Sequence, residues 1–318
     1  MTAAILLVGG LGTRLMPLTR DIPKPMLPVA GIPVTEHQIL AAKRAGISTL
    51  VLATSYLSEV FTPYFGDGSR WGMNLRYAVE KEPLGTGGAI RNAAELLGRD
   101  ESIVVFNGDV LSSHNLSAQI AFHESKSADV TLHLTQVADA RPFGCVPTDA
   151  QGRVTAFLEK MENPVTKAIN AGCYVFHPSV IQTIPAETVV SVEREIFPAL
   201  VAAGRPVYGY TEAAYWLDVG TPKALLDGSA HFVGSDFQAA PGCTIDPSAR
   251  LVGGTAIGKN CVIGADVFID GAIISDNCTI EAGARIHRSF VAAGTRVGRA
   301  VNFSNYYLAN GVQVEISA

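Results

Sequence analysis

The chain has 318 residues, 48% of them hydrophobic and 17% charged, with a formal net charge of −5. That size and apolar content predict one large or two smaller globular domains with a sizeable core. The acidic balance argues against a nucleic-acid partner or an anionic membrane surface, and no apolar run is long enough to cross a bilayer.

Residues 3–8 form an apolar run that predicts a buried strand, and it opens into Gly9-Gly10-Leu11-Gly12-Thr13-Arg14. Glycines there leave backbone N–H groups bare to an anion. Arg14 and, in Pro23-Lys24-Pro25-Met26, a proline-flanked Lys24 add fixed positive charge. No Gly-Lys-Ser/Thr closes the loop, so it is not a Walker A loop, and the third glycine of a dinucleotide fingerprint is missing. The stretch reads as a triphosphate cradle, with Leu7, Gly9, Gly10, Gly12, Thr13 and Arg14 as nucleotide contacts and Lys24 as a catalytic cation. The bland alternative is a strand-to-helix turn that needs glycine only for its bend.

Farther along, residues 50–53, 103–106 and 130–134 read as buried strands, and 36–45 and 88–97 as helices. The alternation implies an α/β, Rossmann-like, mainly parallel sheet, whose ligands bind beyond the carboxyl ends of the strands. The run Glu80-Lys81-Glu82-Pro83-Leu84-Gly85-Thr86-Gly87-Gly88 enters a helix. Thr86 reads either as the helix cap or, with Glu80 and Gly85, as part of a base pocket, where Glu80 would accept two N–H groups from guanine. Asn107-Gly108-Asp109 follows a strand, and Trp216-Leu217-Asp218 ends another. Magnesium takes one or two carboxylates plus phosphate oxygens and water, so Asp109 and Asp218 are the candidate ligands. Gly144, Glu159, Lys160 and Asn170 are candidates for a sugar phosphate.

After residue 243 the pattern changes. Ile245, Leu251, Ile257, Ile263 and Ile269 recur every six residues, and the phase resumes at Ile280, Ile286, Val291 and Val297. This hexapeptide period predicts a parallel β-helix of about four coils, a stacked surface suited to assembly. The domains expected are 1–234 and 243–318, with 233–242 as a linker. Cys145, Cys173, Cys243, Cys261 and Cys278 show no metal or CxxC spacing and read as reduced core residues of a cytoplasmic protein. The opening apolar run is too short for a secretory leader.

Taken in order, GGLGTRLMPLT, PKPM, EKEPLGTGGA, NGDV, FGCV, FLEK, NAGCYVF, VEREIFPAL and WLDVGTP resemble the sugar-1-phosphate nucleotidylyltransferase family, most nearly its mannose-1-phosphate guanylyltransferase branch. The resemblance implies triphosphate binding by Gly10, Gly12, Thr13 and Arg14, and phosphate contacts from Lys24 and Lys160. It implies Mg2+ on Asp109 and Asp218, the base at Glu80 and Gly85, and the sugar at Gly144, Glu159 and Asn170. The tail fits it too, as a left-handed β-helix, and the stacked surface of that β-helix makes a homo-oligomer, dimer or tetramer, the expected state. The expected reaction carries a nucleoside monophosphate, GMP first, onto a hexose 1-phosphate such as mannose 1-phosphate. Met161 after Glu-Lys and the Thr-Gly-Gly form depart from the usual pattern. Heptose, amino-sugar or cyclitol phosphates with guanylyl or uridylyl donors therefore stay open, as does a catalytically silent regulatory subunit.

Overall fold

The computed structural model describes residues 2–10, 12–20, 22–54, 58–98, 101–158 and 161–316. The chain divides into two compact units, Met1–Gly10 with His37–Trp216 and Leu11–Glu36 with Leu217–Ala318. Leu11–Glu36 thus joins the second unit although it lies early in the chain.

Among the described residues, the first unit is built on one seven-stranded sheet. Its strands are β1 (Ala3–Leu7), β2 (Thr49–Thr54), β3 (Asn74–Val79), β4 (Ile103–Asn107), β5 (Val130–Gln136), β6 (Ala168–Phe176) and β7 (Val207–Thr211), in the order β7-β5-β6-β4-β1-β2-β3. Strands β3, β2, β1 and β4 pair in parallel, as do β5 and β7. Strand β6 runs antiparallel to both its neighbours. The central strands are buried on both faces, which is why they read as unbroken apolar runs; Ile5, Val51 and Val105 are fully inaccessible.

Helix α1 (Val34–Arg44) carries Lys43 and Arg44 in its last turn, where cations suit the helix dipole. Helix α2 (Gly85–Ala94) starts three residues before the expected position, because Gly85 enters it at φ +68°. Its first turn lies against the Thr188–Val190 backbone. A Cβ on Gly85 would sit 2.6 Å from the Val190 carbonyl oxygen, and one on Gly88 2.5 Å from that of Thr188. Only glycine permits that approach. Thr86 does not cap the helix: Leu84 stands at the N-cap without a side-chain bond. Helix α3 (Leu116–Ser125) is capped by Asn115, which accepts from Ala118 N at 3.0 Å.

The second unit joins α4 (Pro222–Val233), capped by Thr221, to a three-faced parallel β-helix. Ile245, Ile263, Ile280 and Val297 stack in register on one face. Leu251, Ile269, Ile286 and Phe303 stack on the second. Ala239, Ile257, Ile274, Val291 and Leu308 stack on the third. The six-residue period breaks after Ile269 because Ile274, five residues on, takes the next face. The expected linker is not free chain. Val233 ends α4, and Phe237–Ala239 already forms the first strand of the third face, paired with Thr255–Ile257. Its three residues, Phe-Gln-Ala, are exposed and make too short a run to mark a strand. A final antiparallel strand, Val312–Glu315, closes the far edge of that face.

Between α3 and β5 the first unit buries a polar layer. Gln119 Nε2 donates to the carbonyls of Thr131 and Cys173, and His123 Nδ1 lies 3.0 Å from Thr131 Oγ1. His114 bonds Ser112 and Gln119 and stacks on His133 at 3.8 Å. Neither ring nitrogen of His133 has a hydrogen-bond partner among the described residues. Burial pushes His114 down, His123 to about 4 and His133 to about 3. These imidazoles are neutral in the fold and take protons more readily once unfolded, where histidine titrates near ~6.5. Below that pH the unfolded chain binds the extra protons, so stability falls as pH drops from about 6.5 towards the folded values. Urea midpoints measured from pH 7.5 to 5 are expected to decline below about 6.5. His133→Phe keeps the ring stack without the proton and flattens part of that decline. An unchanged slope in the variant would contradict the assignment.

Candidate active site

The parallel strands of the first unit end at one edge, where α/β sheets place ligands. Leu7 and Asn107 are directly paired there. Gly108 follows, its N–H donating to Leu7 O at 2.9 Å, and a Cβ on Gly108 would lie 2.1 Å from that oxygen. The turn carrying Asp109 is therefore pressed onto the end of β1. Gln38, on α1, fixes the same turn: its Nε2 donates to Asn107 O at 2.7 Å and Val110 O at 2.8 Å. Gln38 was not legible in the sequence, since a lone helical glutamine carries no motif.

Glu80 lies just past β3 on the same edge, with its N–H bonded to Thr54 O. Its Oε2 accepts from Leu84 N at 3.3 Å, and its Oε1 is buried without a hydrogen-bond partner among the described residues. Burial raises its carboxyl above the usual range. Such an acceptor needs donors, and a purine edge with adjacent N–H groups would supply them. Thr86 follows in the first turn of α2. Its hydroxyl donates to Glu193 Oε2 at 2.7 Å and accepts from Val192 N at 3.0 Å.

Gly144 and Asn170 meet through a bond from Asn170 N to Gly144 O at 3.3 Å. Asn170 Nδ2 donates to the Tyr174 hydroxyl at 2.8 Å, and Asn107 Nδ2 reaches the same oxygen at 3.3 Å. The first unit thus gathers Leu7, Asn107 and Glu80 on one edge and joins Asn107 to Asn170 through Tyr174. Glu159 and Lys160 lie outside the described residues.

The second unit assembles the charged set. Gly12 stands in the left-handed region at φ +62°, and a Cβ there would fall 2.8 Å from Lys24 Cβ. The Thr19 hydroxyl donates to Gly12 O at 2.9 Å. A 3-10 turn, Thr13–Leu15, then carries Arg14. Lys24 opens a second such turn between Pro23 and Pro25, braced by the Thr35 hydroxyl on Pro25 O at 2.9 Å. Lys24 is 7% exposed, and its Nζ lies 3.8 Å from Asp218 Oδ1. Two residues on, a Cβ on Gly220 would meet Asp218 Oδ1 at 3.1 Å and Arg14 Nη2 at 3.2 Å. Gly12, Arg14, Lys24 and Asp218 therefore converge, although about two hundred residues separate the first from the last. Among the described residues no group of three or more His, Cys, Asp or Glu is gathered for a metal. The carboxylates Asp109 and Asp218 are hard oxygen donors, and magnesium asks for one or two such groups beside phosphate and water, so the donor chemistry fits.

Residues 3–233 match the family described as nucleotidyl transferase, and residues 233–317 match the GMPPB C-terminal domain. The chain is 49% identical over 299 residues to the mannose-1-phosphate guanylyltransferase of Mycobacterium tuberculosis, covering 90% of this chain and 83% of that one. It is 34% identical over 269 residues to the mannose-1-phosphate guanyltransferase of Schizosaccharomyces pombe, covering 81% of this chain and 73% of that one. The solved structure of HddC from Yersinia pseudotuberculosis complexed with GMP-PN is similar at a TM-score of 0.63 and 27% identity, covering 73% of this chain and 100% of that one.

Gly220 offers a test of the charged set. Alanine there forces Arg14 and Asp218 to give way by a few tenths of an ångström. Turnover is expected to fall about tenfold or more, with the melting temperature within about 3 °C of the parent. Full turnover in Gly220→Ala would mean that neither side chain needs its position.

Proposed function

The chain belongs to the nucleotidyl transferase family, and from that premise we propose the reaction it runs and the residues that run it. It is a sugar-1-phosphate nucleotidyltransferase, taking GTP and mannose 1-phosphate to GDP-mannose and pyrophosphate. The observation that carries the choice of substrates is the near-full-length similarity to named mannose-1-phosphate guanylyltransferases.

In the proposed reaction a phosphate oxygen of the sugar forms a bond to the α-phosphorus, the bond from that phosphorus to the bridging oxygen breaks, and pyrophosphate leaves with the electron pair. Arg14 and Lys24 hold the triphosphate and offset its charge, with Gly10, Gly12 and Thr13 offering backbone donors. Glu80, Gly85 and Thr86 orient the base, with Leu7, Gly9 and Asn107 beside the nucleoside. Gly144 and Asn170, together with Glu159 and Lys160 by resemblance, orient the sugar phosphate. Magnesium, when bound to the carboxylates of Asp109 and Asp218, would supply charge neutralisation at the phosphate oxygens. Proximity and fixed charge carry the rate, so the protein itself forms no bond. The cysteines fit that reading: Cys145 and Cys173 are buried, and burial pushes the Cys173 thiol up. A cytoplasmic setting and self-assembly through the β-helix complete the proposal. No helix among the described residues is long and apolar enough to cross a membrane.

Turnover with GTP, ATP, UTP and dTTP against mannose, glucose, heptose and N-acetylhexosamine 1-phosphates tests the substrates. GTP with mannose 1-phosphate is expected to give the highest kcat/KM, with one pyrophosphate released per GDP-mannose. A better donor or acceptor would overturn the assignment. Asp109→Asn and Asp218→Asn are each expected to lower kcat about a hundredfold, with the circular dichroism of both variants and the melting temperature of Asp109→Asn holding. Near-parent turnover in either would remove that residue from the metal-binding role.

A further inference from the structure

Glu193 belongs to the stretch Val192–Ile196, which forms a π-turn closed by Ile196 N on Ser191 O at 3.4 Å. Such turns are rare and recur at functional sites. The residue is half-buried, and its carboxylate faces two ways. Oε2 accepts from the Thr86 hydroxyl at 2.7 Å and the Ser191 hydroxyl at 2.9 Å. Oε1 accepts from the Tyr174 hydroxyl at 3.4 Å.

A tyrosine hydroxyl has one proton and two lone pairs. With its proton given to Glu193, Tyr174 can only accept from its other neighbours. Those neighbours are the side-chain amides of Asn170 at 2.8 Å and Asn107 at 3.3 Å, and both must present their NH2 groups. Their carbonyl oxygens are thereby turned away. Asn170 Oδ1 accepts from Gly172 N at 3.1 Å, while Asn107 Oδ1 is left buried with no partner among the described residues. An acceptor-only group at position 193 thus favours that orientation of both amides, the one at Asn170 being held the same way by Gly172 N. The 3.3 and 3.4 Å contacts are long for such bonds, so the Tyr174 arm is the looser one and the Thr86 arm the tighter.

We propose that Glu193 is a positioning residue, setting the nucleotide loop through Thr86 and the orientation of Asn107 and Asn170 through the Tyr174 hydroxyl. The proposal rests on the nucleotidyl-transfer reading above, because Thr86, Asn107 and Asn170 are its substrate-facing groups. Glutamine at 193 can turn a donor towards Thr86 or Tyr174, which breaks the one-way order of the chain. Phenylalanine at 174 keeps the ring packed on Phe197, 5.1 Å away between centroids, and removes only the hydroxyl.

Two measurements on the full chain test it. Steady-state kinetics of Glu193→Gln and Tyr174→Phe should show KM raised about tenfold for both substrates, with kcat changed less than about threefold. Melting temperature should stay within about 3 °C. Side-chain amide NMR, assigned with Asn107→Ala and Asn170→Ala, should show Glu193→Gln moving both asparagine resonances although its side chain touches neither. Unmoved resonances overturn the proposal whatever the enzyme's substrates are. So do moved resonances with unchanged KM values in an active parent. A parent inactive with GTP and mannose 1-phosphate indicts the substrate reading instead, and the resonances then decide the positioning role on their own.

Discussion

Lys24 is almost inaccessible, yet its ammonium nitrogen lies 3.8 Å from Asp218 Oδ1. Taking a lysine out of water is costly unless an opposite charge or good hydrogen-bond acceptors meet it. The second unit meets that cost by local design. Two prolines fix the turn, Thr35 ties it down, and Gly12 leaves room that any side chain would fill. Gly220 does the same for Arg14 and Asp218. In a chain of net charge −5, this concentrates positive charge locally without making the protein basic. The proposed phosphate handling depends on that small set staying where its backbone puts it.

The first unit solves a different problem, which is direction. Its proposed contributions are mostly neutral or acceptor groups: Glu80, Thr86, Asn107 and Asn170. Their bonds run through backbone and buried hydroxyls, which hold orientation more firmly than a solvent-exposed side chain does. Glycines recur for a physical reason in both units. At Gly85, Gly88 and Gly108 the missing Cβ lets one backbone segment touch another, so loop geometry is set by contact and not by side-chain choice.

Much of this was legible in the sequence because it is periodic or local. Unbroken apolar runs marked the buried parallel strands, and the six-residue repeat marked the prism. The glycine loop and Pro-Lys-Pro element marked the proposed phosphate cradle through residue type alone. What stayed hidden depends on long-range closure. Nothing in the spacing tells that Leu11–Glu36 joins the second unit, or that Lys24 lies beside Asp218. Thr86 looked like a helix cap because its true partners, Val192 and Glu193, lie more than a hundred residues away. Tyr174 lies within NAGCYVF, but a buried tyrosine in a strand looks like core until its hydroxyl's neighbours are known.

In the proposed reaction the protein positions and neutralises the reactants and forms no bond to either. The stereochemical course at phosphorus tests this directly. Using the Sp diastereomer of guanosine 5′-O-(1-thiotriphosphate) and mannose 1-phosphate, a single in-line displacement gives a nucleotide sugar with inverted configuration at the α-phosphorus. Inversion is the result predicted here. Net retention would require two displacements through a covalent guanylyl-protein, and would contradict the account.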